Sequence, residues 1–207
     1  MIKINLFLVL FFASNAIFAQ AEKDSLLKRD INVIVDELQF MYGYDQTMRE
    51  YTIYKTFDKH KIDSIENLPD SLREIAMKKF DFNNDTLVMM IKRKYINPKD
   101  AEHTERLIEI TNKYGFPSLD RIKKYYKKDF IDPEFHANLI FIHSPKKYWE
   151  ELKVLMKDEY EKGNINQCIY GYLLWHFNGR KSFQPMLDNG WKFVEKNGKR
   201  ALTSTCE

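Results

Sequence analysis

Several classes of chemistry are excluded by what this sequence lacks. It holds only two cysteines, Cys168 and Cys206, and no cysteine or histidine cluster stands at zinc-ligand spacing. It contains no G-x-S-x-G elbow, no phosphate loop, no H-E-x-x-H pair and no cysteine in a nucleophile setting. Glu150-Glu151 alternates with lysines as a solvated helix face does, and nothing singles out a carboxylate pair for glycoside hydrolysis. Neither sign of charge dominates: 33 basic residues stand against 30 acidic ones, a formal charge of +3 to which Lys3 contributes one. Such a mixed surface lacks the footprint of a nucleic-acid binder. The densest basic run, Lys123 to Lys128, is interleaved with Tyr125 and Tyr126, a pattern able to stack on single strands. Asp120, Asp129 and Asp132 flank it, however, so it reads as a solvated helix face.

Long apolar runs are missing too. The longest, Leu6 to Phe12, falls well short of the roughly 20 residues of a membrane span. With Lys3 before it and Ile17-Phe18-Ala19 after it, it has the layout of an export signal over residues 1–19. Ile17 fits the usual cleavage pattern less closely than alanine. The mature chain is therefore expected to start near Gln20, in a periplasm or outside the cell, with no stable membrane anchor and no lipid-bearing cysteine at the cleavage point. In that compartment Cys168 and Cys206 could pair. A buried Cys168 beside a mobile Cys206 in the tail is the expectation, with the bridge left open.

The remaining 20–207 is enough for one domain with its own core. Leu27, Ile31, Ile34, Leu38 and Met41 recur at spacings of four and three, the stripe of an amphipathic helix. Continued, the stripe reaches Asp45 and then Met48 or Arg49. An acid and a base four residues apart can touch, and losing one member of a buried pair would cost about 3–5 kcal/mol. The bland reading of this pair is a structural ion pair. The functional one is a site that holds a cation, orients a base or frees a guanidinium for an anion.

Further along, Lys55 to Glu66 reads as a surface excursion. Pro69-Asp70-Ser71 starts a helix with Leu72, Ile75, Ala76 and Phe80 on one side, and Asn83-Asn84-Asp85 makes a turn. Leu87 to Ile91 leans helical and Asn97-Pro98 breaks it. Asp100 then caps a helix that carries Leu107, Ile108 and Thr111 and stops at Gly115 and Pro117. Asp132-Pro133 opens a helix through His143, and Ser144-Pro145 opens the next, which places Tyr148, Trp149, Leu152, Leu155, Met156 and Tyr160 on its apolar face and ends at Gly163. Asn164 and Gln167 form a capping box for a helix with Ile165, Cys168, Ile169, Tyr172 and Leu173 inward, closed by Asn178-Gly179. Asn197-Gly198 between 191–195 and 199–203 signals a β-hairpin. The fold class is mainly α, a compact multi-helix domain with a small C-terminal β-hairpin.

His143 is the histidine with a case for function. A helix end favours its protonated form. His136 shares its face but stands roughly 10 Å away, too far for a shared metal, so no metal and no cofactor is expected. His176, beside Trp175, reads as a packed or capping residue, and His60 and His103 as surface residues.

Three segments occur in a suggestive order: Asp45-Gln46-Thr47-Met48-Arg49, Gly115-Phe116-Pro117 and Ile142-His143-Ser144-Pro145, followed by Glu161-Lys162-Gly163. In these, over residues 26–185, the chain resembles a bacterial domain-of-unknown-function family, number 6624. That family shows D-Q-x-x-R, G-W-P, Q-H-A-D, a D-R pair after a leucine-rich helix, and Y-G-T-Q. The first motif is matched fully; the second has Phe for Trp, and the third keeps only its histidine. Trp175-His176 stands where the family has D-R, and Ser182-Phe183-Gln184 keeps a trace of the last motif. The resemblance implies a shared polar centre of Asp45, Gln46, Arg49 and His143, depleted by loss of the D-R pair, and supplies no chemistry. The expected function is binding of an unknown small molecule or protein at this centre. The alternative is a hydrolase-like enzyme with His143 as acid/base, oriented by Asp45 and Arg49.

Overall fold

A computed structural model describes residues 3–79, 86–196 and 198–206, with side chains from Gln20 onward except those of residues 196 and 199. The side chains of the export segment, Phe80, the Asn83-Asn84-Asp85 turn and Asn197 thus lie outside the described residues. Everything is organised on α1, Lys3–Tyr54. Its stripe is buried as the spacing requires: Leu27, Ile31, Ile34, Val35, Leu38, Met41 and Tyr42 all enter one core. Against it pack α5 (Asn97–Tyr114), α6 (Leu119–Tyr125) and α7 (Asn138–Ile142). Next come α8 (Trp149–Glu161) and α9 (Gln167–Phe177), which pack on each other, with α9 also against α7. The short α10, Gln184–Leu187, joins α9 to an antiparallel hairpin of β1 (Trp191–Lys196) and β2 (Lys199–Ser204), paired from Trp191 with Ser204 to Lys196 with Lys199. The mainly α class with its C-terminal hairpin is what the sequence pattern demands. No helix of the described residues is long and apolar enough to cross a membrane.

Several expectations need correction. Lys55–Glu66 is not a bare excursion: α2, Lys59–Glu66, buries Ile62 and Ile65 with Tyr54 in a small separate cluster. Asp58 caps it by accepting from the Lys61 N–H. In α3, Asp70–Lys78, Leu72 and Ile75 are exposed rather than inward. Asn97-Pro98 does not break the chain's course. Between α4 (Thr86–Ile91) and α5 the helix widens into a π turn over Lys92–Ile96, in which the Asn97 N–H reaches the Lys92 carbonyl. Pro98 has no N–H to return to the preceding turn, and the wider turn carries the helix past it.

Asp132-Pro133 does not open a helix. Asp132 Oδ1 accepts from the Glu134 N–H at 2.8 Å, a side-chain turn, and Tyr42 Oη donates to the Glu134 carbonyl at 2.9 Å. Only Asn138–Ile142 coils, and His136 is exposed and off the helix. Asn166, not Asn164, caps α9, accepting from the Ile169 N–H at 2.9 Å. The largest correction concerns the tail. Cys206 is bridged to Cys168, with Cα atoms 6.0 Å apart. Neighbouring bonds hold the strand end there: Trp191 Nε1 donates to the Cys168 carbonyl, and Thr205 donates to the Gly190 carbonyl through both N–H and Oγ1. Gly190, at φ +77°, passes so close that a Cβ would come 2.8 Å from Cys168 Sγ.

Asn164 serves a corner instead. Gly115 has φ +73°, and a Cβ there would stand 2.7 Å from both Arg121 Nη1 and Asn164 Nδ2. The corner's polar groups are bound internally. Arg121 donates to the carbonyls of Tyr114 (2.7 Å) and Phe116 (2.8 Å) and to Asp24 (2.6 Å). Glu159 accepts from the Phe116 N–H at 2.5 Å and from Asn164 Nδ2 at 2.7 Å.

Candidate functional site

The α1 stripe carries Asp45 inward because its position continues the apolar face, and at 6% exposure it is buried. Its carboxylate is met from three sides. His143 Nδ1 lies 2.9 and 2.8 Å from its two oxygens, and Gln46 Nε2 donates to Oδ2 at 2.7 Å. Arg49 Nε stands 3.0 Å from Oδ1. That N–H is not aimed at the oxygen and has no hydrogen-bond partner among the described residues, so the contact is charge pairing rather than a hydrogen bond. All four residues drawn from the sequence therefore meet at one carboxylate. His143 arrives there across 98 positions of chain because it ends α7, its N–H bonded to the Leu139 carbonyl at 3.2 Å.

A fifth residue escaped the sequence reading. Asp100, taken there for a helix cap, accepts from Arg49 Nη2 at 2.6 Å and closes the chain Asp100–Arg49–Asp45–His143. Because the helix runs on through the π turn, no free N-terminus exists at Asp100 for it to cap. Burial raises its carboxyl above the ordinary value against the opposing pull of Arg49. His103, expected on the surface, is buried one turn along α5 and packs edge-on against Tyr44 at 5.8 Å; burial lowers its basicity. The signal available for Asp100 was its spacing: Asp100, Thr104, Leu107 and Thr111 form a stripe that is polar at three of its four positions.

The network is dry at its centre and wet at its rim. Side-chain exposure is 5% for Asp45 and 14% for Asp100, but 25% for Arg49 and 26% for His143. An ionised carboxylate can only accept, so His143 presents Nδ1–H to it. In the neutral ring Nε2 then carries the lone pair, and no described residue donates to that nitrogen. Among the described residues no group of three or more His, Cys, Asp or Glu side chains is placed to hold a metal.

The remaining quoted residues lie elsewhere or nearby. Gly115-Phe116-Pro117 belongs to the Arg121–Glu159 corner. His176 is buried near the His143 turn and bonded to Arg180, while Trp175 stacks on Phe183 with ring centres 5.7 Å apart. In the basic run, Tyr126 enters the core and Tyr125 packs against it, so only the lysines face water. Comparison with known proteins supplies no template for this arrangement: no family model, no curated protein and no solved structure matches the chain.

Proposed function

We propose that this is an exported binding domain whose recognition element is His143, held in the frame of Asp45, Gln46, Arg49 and Asp100. The observation that carries the reading is the contact of His143 Nδ1 with the Asp45 carboxylate, which fixes one tautomer and turns the basic Nε2 outward on a partly exposed ring. A purely structural ion pair has no need of a polarised imidazole at its open edge. Export is supported by the charged, apolar and small-residue layout of residues 1–19 and by the Cys168–Cys206 bridge, which suits an oxidising periplasm or exterior. The motifs shared with family 6624 agree with the same centre. A thermal-shift screen of sugars, metabolites and metal ions on the mature chain tests the reading. The expected hit raises the melting temperature in wild type and loses its effect in His143→Ala. Hits that survive that substitution would overturn it.

One observation favours a second reading. A carboxylate holding Nδ1 is also the geometry of a general base, with Nε2 taking a proton from water or a hydroxyl. A hydrolase-like activity would then turn on His143 as acid/base, oriented by Asp45 and Arg49. Turnover of chromogenic esters or glycosides that falls by about 10²–10⁴ in His143→Gln would select this reading.

A further inference from the structure

The His143 turn has a second imidazole beside it. Trp149 links the two: its Nε1 donates to the carbonyl of Ser144, next to His143, at 3.2 Å, and its ring meets His176 edge-on with centres 5.2 Å apart. His176 is buried on α9 and held from behind. Arg180 places Nε at 3.1 Å and Nη2 at 2.9 Å from His176 Nδ1, from a backbone with φ +61°, a conformation uncommon outside glycine. A guanidinium only donates, so His176 Nδ1 must be the acceptor and Nε2 must carry the hydrogen. Burial, with Arg180 and His143 nearby, pushes the imidazole down to about 4, so it stays neutral at physiological pH. With both rings neutral they are opposites: His143 offers a lone pair at Nε2, and His176 an N–H at Nε2.

We propose that His176, positioned by Arg180, completes the His143 site as its hydrogen-bond donor, and that the two rings together take a neutral hydroxyl-bearing ligand, a sugar or polyol. The inference rests on the reading of the His143 centre as a binding site. A hydroxyl is the group that fits, since it can donate to His143 Nε2 while accepting from His176 Nε2–H. A phosphate dianion or carboxylate has no hydrogen for His143. A metal bridging the rings has no lone pair to take on His176, where one nitrogen is protonated and the other faces a guanidinium.

Long-range proton–nitrogen NMR on the mature chain with isotope-labelled histidine tests this. At neutral pH His143 should show the Nδ1–H tautomer and His176 the Nε2–H tautomer. Titrated glucose, N-acetylglucosamine or glycerol should move both rings along one isotherm, whereas inorganic phosphate and zinc chloride should leave His176 still. His176→Phe should weaken the sugar by about tenfold, the loss expected of one hydrogen bond. Should that variant fold poorly, Arg180→Gln on the surface serves instead and should let His176 populate its other tautomer. A His176 with Nδ1–H in wild type, or a sugar or glycerol that moves His143 alone, overturns the pair and leaves the His143 reading standing. If no probe moves His143, both fall.

Discussion

Two charged networks are built into this helical fold, and their difference separates scaffold from site. At the Gly115 corner, Glu159 and Arg121 are almost wholly enclosed, and the partners of Glu159 are the Phe116 N–H and the Asn164 amide, a loop and its support. At the Asp45 centre, the carboxylate is equally enclosed, but Arg49 and His143 are a quarter exposed and one imidazole nitrogen stays unengaged. Both bury an acid. Only the second leaves a polarised atom at the water's edge. Enclosure with the bonds closed on a loop and its support fixes a corner, and enclosure with one open atom prepares an encounter.

The largest expected effect lies at the corner. Glu159→Ala strands the Phe116 N–H and the Asn164 amide in a site that water does not reach, so we expect a loss of about 3–5 kcal/mol. Chemical denaturation checks it. A loss under about 1 kcal/mol would show the corner to be wetter than its burial, and the contrast with Asp45 would collapse.

Next in size is the pH response of the open network. His176 is held down to about 4 in the fold, against an ordinary value of 6.5. Its folded value is depressed, so the unfolded chain takes up a proton first as pH falls. Stability is therefore complete above about 6.5 and declines through the window down to about 4, by at most about 3 kcal/mol. Lowered His103 adds to the decline. The raised carboxyl of Asp100 works against it, since the fold takes that proton more readily. Denaturation midpoints measured across this window should fall with pH in wild type and flatten in His176→Phe. An unchanged slope in the variant would move the cause to the carboxylates.

How much of this was legible in the sequence divides along the same line. The α1 stripe from Leu27 to Met41 was plain because period and burial agree, and the intrusion of Asp45 on it pointed to the centre. Asp100 was not legible, because the expected break at Asn97-Pro98 made its position look like a helix start. The π turn over Lys92–Ile96 removed that start and left the carboxylate free for Arg49. His103 misled because a charged flank, Glu102 and Glu105, concealed a buried side chain. The Cys168–Cys206 bridge could only be left open, because pairing depends on the hairpin returning its end to α9, a tertiary event that no local pattern encodes.

A smaller effect belongs to Arg49→Ala. A fully buried pair would lose about 3–5 kcal/mol, but Arg49 reaches water and Asp45 keeps His143 and Gln46. About 1–3 kcal/mol is expected, chiefly from Asp100 left without its partner. Asp100→Asn in the Arg49→Ala background should recover part of the loss, which equilibrium unfolding of the double variant would show. No recovery would mean that Arg49 acts through Asp45 alone.

The smallest effect is the most discriminating. Gln46 is half-buried, and its amide is one donor among those that meet Asp45, at 2.7 Å from Oδ2. His143 Nδ1 contacts that same oxygen at 2.8 Å. Removing Gln46 strands no buried charge, so Gln46→Ala should cost only about 0.5–1.5 kcal/mol, the net worth of a hydrogen bond. The informative quantity is its coupling to His143→Ala. If both donors share the load on one carboxylate oxygen, each matters more when the other is gone, and the double-mutant cycle should show more than about 0.5 kcal/mol of interaction. Two losses that simply add would mean that His143 and Gln46 do not act on Asp45 as a unit, and the frame around His143 would reduce to a single pairwise bond.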